Sequence, residues 1–131
     1  MEAERNAFTV RGMHHHAFRS RDIEETRKFY EDVIGLPLIA TFVETENPVY
    51  KDGASYIHVF FELGDGSCLA FFQFQTNGAP TGFAARDSFD HHLALEVDGM
   101  DAVRAAEQRY KDLGLNYYIH EIGRASCRER V

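Results

Sequence analysis

The feature that most limits what this chain can fold into is an internal repeat. Met13-His-His-His-Ala-Phe-Arg-Ser-Arg-Asp-Ile-Glu24 lies over Asp90-His-His-Leu-Ala-Leu-Glu-Val-Asp-Gly-Met-Asp101. Both copies read His-His-x-Ala-apolar, then an extended stretch, then a helix start. Both helices then end at a Gly-Leu step, Gly35-Leu36 and Gly114-Leu115. Two short strand–helix units can match by chance, but the shared dipeptide, the Ala spacing and the terminal Gly together point to duplication of one supersecondary unit.

Local signals fill in the first copy. Asp22 suits an N-cap, and Glu25 three residues later completes a capping-box-like pair. Ile23, Thr26, Phe29, Tyr30 and Val33 recur at helical spacing. Gly35 suits a left-handed C-terminal position, and Pro37 blocks continuation. Leu38 to Glu44 reads as a strand. Ser55 to Leu63 and Ser67 to Phe74 are apolar runs joined by Gly64-Asp65-Gly66, a hairpin signal. The first unit is therefore predicted as β-α-β-β-β over 13–77, after an N-terminal segment 1–12. A Gly- and Pro-containing linker is expected at 78–88. The second unit, 89–120, reads β-α-β only, with strands at Phe89–Val97 and from Leu115 to Ile119. Its helix spans Met100 to Leu113, with Met100, Val103, Ala106 and Tyr110 on one stripe.

The segment Glu121–Val131 changes character, with three arginines in its last eight residues. It resembles the translation of a sequencing adapter read through from a gene fragment, and such scars are set aside in fold reasoning. On that expectation the second unit is truncated near His120, and Cys127 plays no part.

Bulk properties exclude several classes. The chain has 131 residues, enough for one domain with a core. Its net charge of −7 argues against a nucleic-acid partner. No apolar run approaches the ~20 residues of a membrane-spanning helix. Cys68 and Cys127 form no disulfide framework. No secretory signal is visible after Met1, so a cytoplasmic protein is expected.

A tandem β-α-β-β-β duplication resembles the vicinal-oxygen-chelate (VOC) superfamily, the glyoxalase, bleomycin-resistance and extradiol-dioxygenase group. The residues that carry the likeness are His15-His16-Ala17-Phe18 leading to Asp22, then Phe29-Tyr30 leading to Gly35-Leu36. Gly64-Asp65-Gly66-Ser67 with Leu69-Ala70-Phe71-Phe72, and His92-Leu93-Ala94-Leu95, complete it. The implied fold class is α+β, tandem βαβββ modules of the VOC type with the second module incomplete. The resemblance further implies that His15 and His92, at equivalent repeat positions, are ligands of one divalent metal ion. Fe2+ or Mn2+ come first, Zn2+ or Ni2+ next. Imidazole nitrogen is the commonest metal ligand and suits such ions.

The family's usual third ligand, a carboxylate on the last strand of the second unit, has no counterpart before residue 121, and Glu121 is not promoted to that role. Glyoxalase I-type members add a glutamate on the fourth strand of the first unit, where this chain has Ala70. Gln73 is near, but strand alternation puts it on the other face. The pattern is closer to extradiol dioxygenases and fosfomycin-resistance thiol transferases. His14, His16 and His91 are read as supporting or surface groups. His58 is read as structural, with a place in the cleft as the alternative. The acidic residues Glu24, Glu25, Glu31 and Asp32 form a solvated helix face.

No catalytic acid or base is assigned, and no organic cofactor is expected. The expected partner is a small molecule with vicinal oxygens, and a homodimer is a family expectation. The alternative is a metal-free binding protein of the bleomycin-resistance type. An isolated, truncated fragment with an unpaired sheet edge would be prone to aggregate.

Overall fold

The computed structural model describes residues 9–46, 55–75 and 92–119. The expected linker at 78–88, His91 and the segment 121–131 lie outside them. The chain divides into two compact units, 1–84 and 85–131, each described by itself.

In the first unit β1 (His15–Arg19) leads into α1 (Ile23–Arg27), followed by β2 (Leu38–Glu44), β3 (Tyr56–Glu62) and β4 (Cys68–Phe74). The sheet order is β1-β4-β3-β2. β2, β3 and β4 form an antiparallel meander, and β1 joins β4 in parallel. This is the β-α-β-β-β unit that the sequence predicts.

The helix start follows from Asp22. Its carboxylate accepts hydrogen bonds from the backbone N–H groups of Glu24 and Glu25 at 2.9 and 3.1 Å. Glu25 does not complete the box by turning back; it pairs with Arg21 at 3.3 Å. A further tie holds the helix to the sheet, because the Ile23 N–H donates to Gln73 Oε1 at 2.6 Å. Asp22→Ala is expected to cost about 1 kcal/mol, the usual worth of an N-cap. Urea denaturation of the two proteins reads this directly, and an unchanged midpoint would contradict it.

After Arg27 the backbone widens into a π-helical segment, Lys28–Ile34. Phe29 is exposed and meets Tyr30 edge-on at 5.1 Å, whereas Tyr30 packs on Phe71 at 4.8 Å and Phe61 at 5.8 Å between ring centroids. Arg27 spans the junction, bound to Glu24 and Glu31, each at 2.8 Å. The acidic face is thus largely solvated, as expected, with Glu24, Glu31 and Asp32 paired to Arg27 and Glu25 to Arg21. Gly35 ends the segment at φ 88°, the left-handed position its sequence context requires.

Strand alternation gives the sheet two different faces. Phe18, Val59, Phe61, Leu69 and Phe71 point to the helix side, where the core lies. His15, Ala17, Arg19, Phe42, Tyr56, His58, Phe60, Cys68, Ala70, Phe72 and Phe74 share the other face by register. Small Cys68 and Ala70 are buried there too, and burial raises the Cys68 thiol pKa.

In the second unit α2 covers Gly99–Asp112. Val103, Ala106 and Tyr110 are half-buried, as the stripe predicts, whereas Met100 is exposed. Gly114 follows at φ 66°, matching Gly35 in the repeat. Within the described residues neither of the two expected flanking strands forms. Residues 92–97 make one isolated bridge, at Glu96, and 115–119 are irregular. A strand exists only where a neighbour takes its backbone hydrogen bonds, and among the described residues none supplies such a ladder there. No described helix is long and apolar enough to cross a membrane.

Candidate functional site

The candidate site in the first unit lies on the sheet face away from α1. β1 brings His15 to it, because the parallel pairing sets His15 beside Cys68 and Ala17 beside Ala70. β3 brings His58 and Phe60, set beside Phe72 and Ala70. His15 is exposed, whereas His58 and Phe60 are half-buried.

The rings converge. His15 meets Phe60 at 5.3 Å and His58 at 6.3 Å between centroids. His58 packs on Phe60 at 4.3 Å and stacks on Phe72 at 3.5 Å. Phe42 closes on Phe60 from β2 at 5.7 Å. At the far end Arg19 lies over the Phe74 ring, 5.1 Å from its centroid. The face is therefore aromatic, with one imidazole from β1 and one from β3.

His58 holds the one buried side-chain nitrogen or oxygen without a hydrogen-bond partner among the described residues, its Nε2. Burial, aided by the neighbouring His15, pushes its pKa down to about 4. The ring is thus neutral across the physiological range and keeps a lone pair on one nitrogen. The sequence shows only that His58 alternates with Phe60. Its missing partner depends on rings from three strands, which no local pattern reveals.

His14 also departs from expectation. Alternation predicts that His14 and His15 diverge. Instead their Nδ1 atoms lie 2.7 Å apart. His14 precedes β1, so the pleat does not constrain it, while its carbonyl accepts the Cys68 N–H at 3.0 Å. One Nδ1 of this pair carries hydrogen and the other accepts it. When His15 is the donor, its Nε2 presents the lone pair. His16 turns to the opposite face and stacks on Phe18 at 4.3 Å.

Ala70 shares the face of His15, and Gln73 points to the helix, as alternation predicts. His92 is an exposed residue of the second unit. Among the described residues no three or more His, Cys, Asp or Glu side chains are grouped closely enough to hold a metal ion.

Comparison with known proteins adds to this geometry. Residues 12–124 match the sequence model of the Glyoxalase/Bleomycin resistance protein/Dioxygenase superfamily. A lactoylglutathione lyase of Haemophilus influenzae is 32% identical over 101 residues, which cover 70% of this chain. The chain spans 65% of that relative's length. The crystal structure of SMU.1112c superimposes with a TM-score of 0.53 at 18% identity, over 81% of this chain and 77% of that one. That last likeness concerns the fold alone.

Proposed function

Because the chain belongs to the glyoxalase/bleomycin resistance protein/dioxygenase superfamily, we propose that it is a divalent-metal-dependent enzyme of that group, acting on a small molecule with vicinal oxygens. The observation that carries this reading is the setting of His15. It stands on the sheet face left open by the helix, with its Nδ1 engaged by His14. A ligating histidine characteristically has its second ring nitrogen held by a neighbour, which fixes the tautomer and aims the lone pair. His14 supplies that neighbour, so the donor chemistry fits a metal.

His15 and His92 would hold the ion, Fe2+ or Mn2+ before Zn2+ or Ni2+. A bound ion would act as a Lewis acid toward chelated substrate oxygens, or activate dioxygen if it is iron. The chain's own residues have other tasks. His14 orients His15, and Phe42, Phe60 and Phe72 offer apolar surface that excludes water from a bound substrate. The relative's name, lactoylglutathione lyase, makes a lyase one candidate. Ala70, on the face shared with His15, lacks the carboxylate that glyoxalase I-type members carry, and this favours dioxygenase or thiol-transferase chemistry.

Metal analysis of the full-length protein tests the reading. His15→Ala and His92→Ala are each expected to lose stoichiometric metal. Undiminished binding in either variant would remove the claim. A metal-free binding protein is the second reading, favoured by the aromatic character of the open face. It predicts ligand binding that survives both substitutions.

A further inference from the structure

The orphaned nitrogen of His58 calls for an explanation. Leaving a buried polar atom without a partner is destabilising, and such groups in folded proteins generally have a reason. Stacking is not that reason. His58 lies on Phe72 at 3.5 Å, between Phe60 and the β2 residue Phe42, which faces it across the β2–β3 pairing. A phenylalanine would stack as well and leave nothing unsatisfied.

Position supplies the reason. The pairing sets His58 beside Phe72, and Phe72 beside Arg19. His58 is thus two same-face positions along from His15 in register. Even so, the two imidazole centroids are only 6.3 Å apart. The same-face residues between them on β1 and β4 are Ala17 and Ala70, whose methyl groups leave room for both rings above the sheet. Metal–imidazole nitrogen bonds of about 2.0–2.1 Å place two ring centroids on one tetrahedral ion about 5 Å apart. The observed 6.3 Å is about 1 Å longer, a gap that a small rotation of the exposed His15 side chain closes.

We propose that His58 is a ligand of the same divalent ion as His15, with its otherwise unpartnered Nε2 as the donor atom. This rests on the reading of His15 as a metal ligand. It gives the first unit two imidazole donors on two non-adjacent strands, β1 and β3, bridged by the two alanines. A donor set richer in imidazole suits Zn2+, Co2+, Ni2+ or Fe2+ better than Mg2+ or Ca2+.

Titration of the full chain with Co2+ alone tests the proposal, reading affinity and the visible ligand-field spectrum. His58→Phe keeps a ring against Phe72 and removes the nitrogen. His58→Gln is the second variant, and circular dichroism checks that each is folded. Both are expected to bind Co2+ more than tenfold more weakly and to show an altered spectrum. A wild-type spectrum and affinity in the folded variants, with binding lost in His15→Ala, would overturn the role of His58 and leave that of His15 standing. Wild-type binding in His15→Ala as well would overturn both.

Discussion

Phe61→Ala is expected to remove about 3–5 kcal/mol of stability, the range for deleting a buried aromatic side chain. Phe61 is completely buried. It packs between Tyr30 of the π-helical segment and Phe71 of β4, at 5.8 and 5.9 Å between centroids. It is also in register with Leu69, the other large side chain with no exposure. The cavity therefore opens where helix and sheet meet, and neither wall can collapse without moving the backbone. Against the 5–15 kcal/mol of a typical domain, this loss threatens folding itself. Urea denaturation followed by circular dichroism measures it. A deficit below about 1 kcal/mol would mean that the helix does not close over Phe61.

Ala70→Glu is the second substitution with a large expected effect. Ala70 has no exposure, and its in-register neighbours are Ala17 and Phe60. A carboxylate there would be buried beside uncharged Ala17 and Phe60, and an uncompensated buried charge costs about 3–5 kcal/mol. Desolvation would raise the pKa of this glutamate in the folded chain above the unfolded value of about 4.3. The penalty is then absent below that pH and grows as pH rises through the folded pKa. The larger side chain also overpacks the site at every pH, at a cost of about 1–3 kcal/mol, so thermal unfolding at pH 4 and pH 8 should show the variant below wild type at both and much further below it at the higher. Added divalent ion should recover more stability in the variant than in wild type, if an ion sits beside His15. Equal gains would separate Ala70 from the metal.

Those features with a local cause were legible in the sequence. Asp22 caps, Gly35 turns left-handed, β2 occupies Leu38–Glu44, and Gly64-Asp65-Gly66 joins two strands. Each follows from a few neighbouring residues. Period-two alternation likewise sorted Ala70 and Gln73 onto opposite faces. What the sequence withheld depends on contacts distant along the chain. The 2.7 Å approach of His14 to His15 arises because His14 precedes β1, where the pleat does not constrain its side chain. The orphaned nitrogen of His58 is set by rings from three strands. Strand propensity at 92–97 and 115–119 yields no ladder, because propensity describes a residue's fit to a sheet and does not supply the adjoining strand.

The parallel pairing of β1 with β4 also bears on the order in which this molecule assembles. β2, β3 and β4 are successive in the chain and form an antiparallel meander, with β3 and β4 joined by a tight turn. Residues 15–19, by contrast, must reach residues 68–72 across everything between them. Closing so long a loop loses entropy before any contact rewards it. The strand that bears His15 is thus the natural last arrival, docking on a platform in which His58 is already placed.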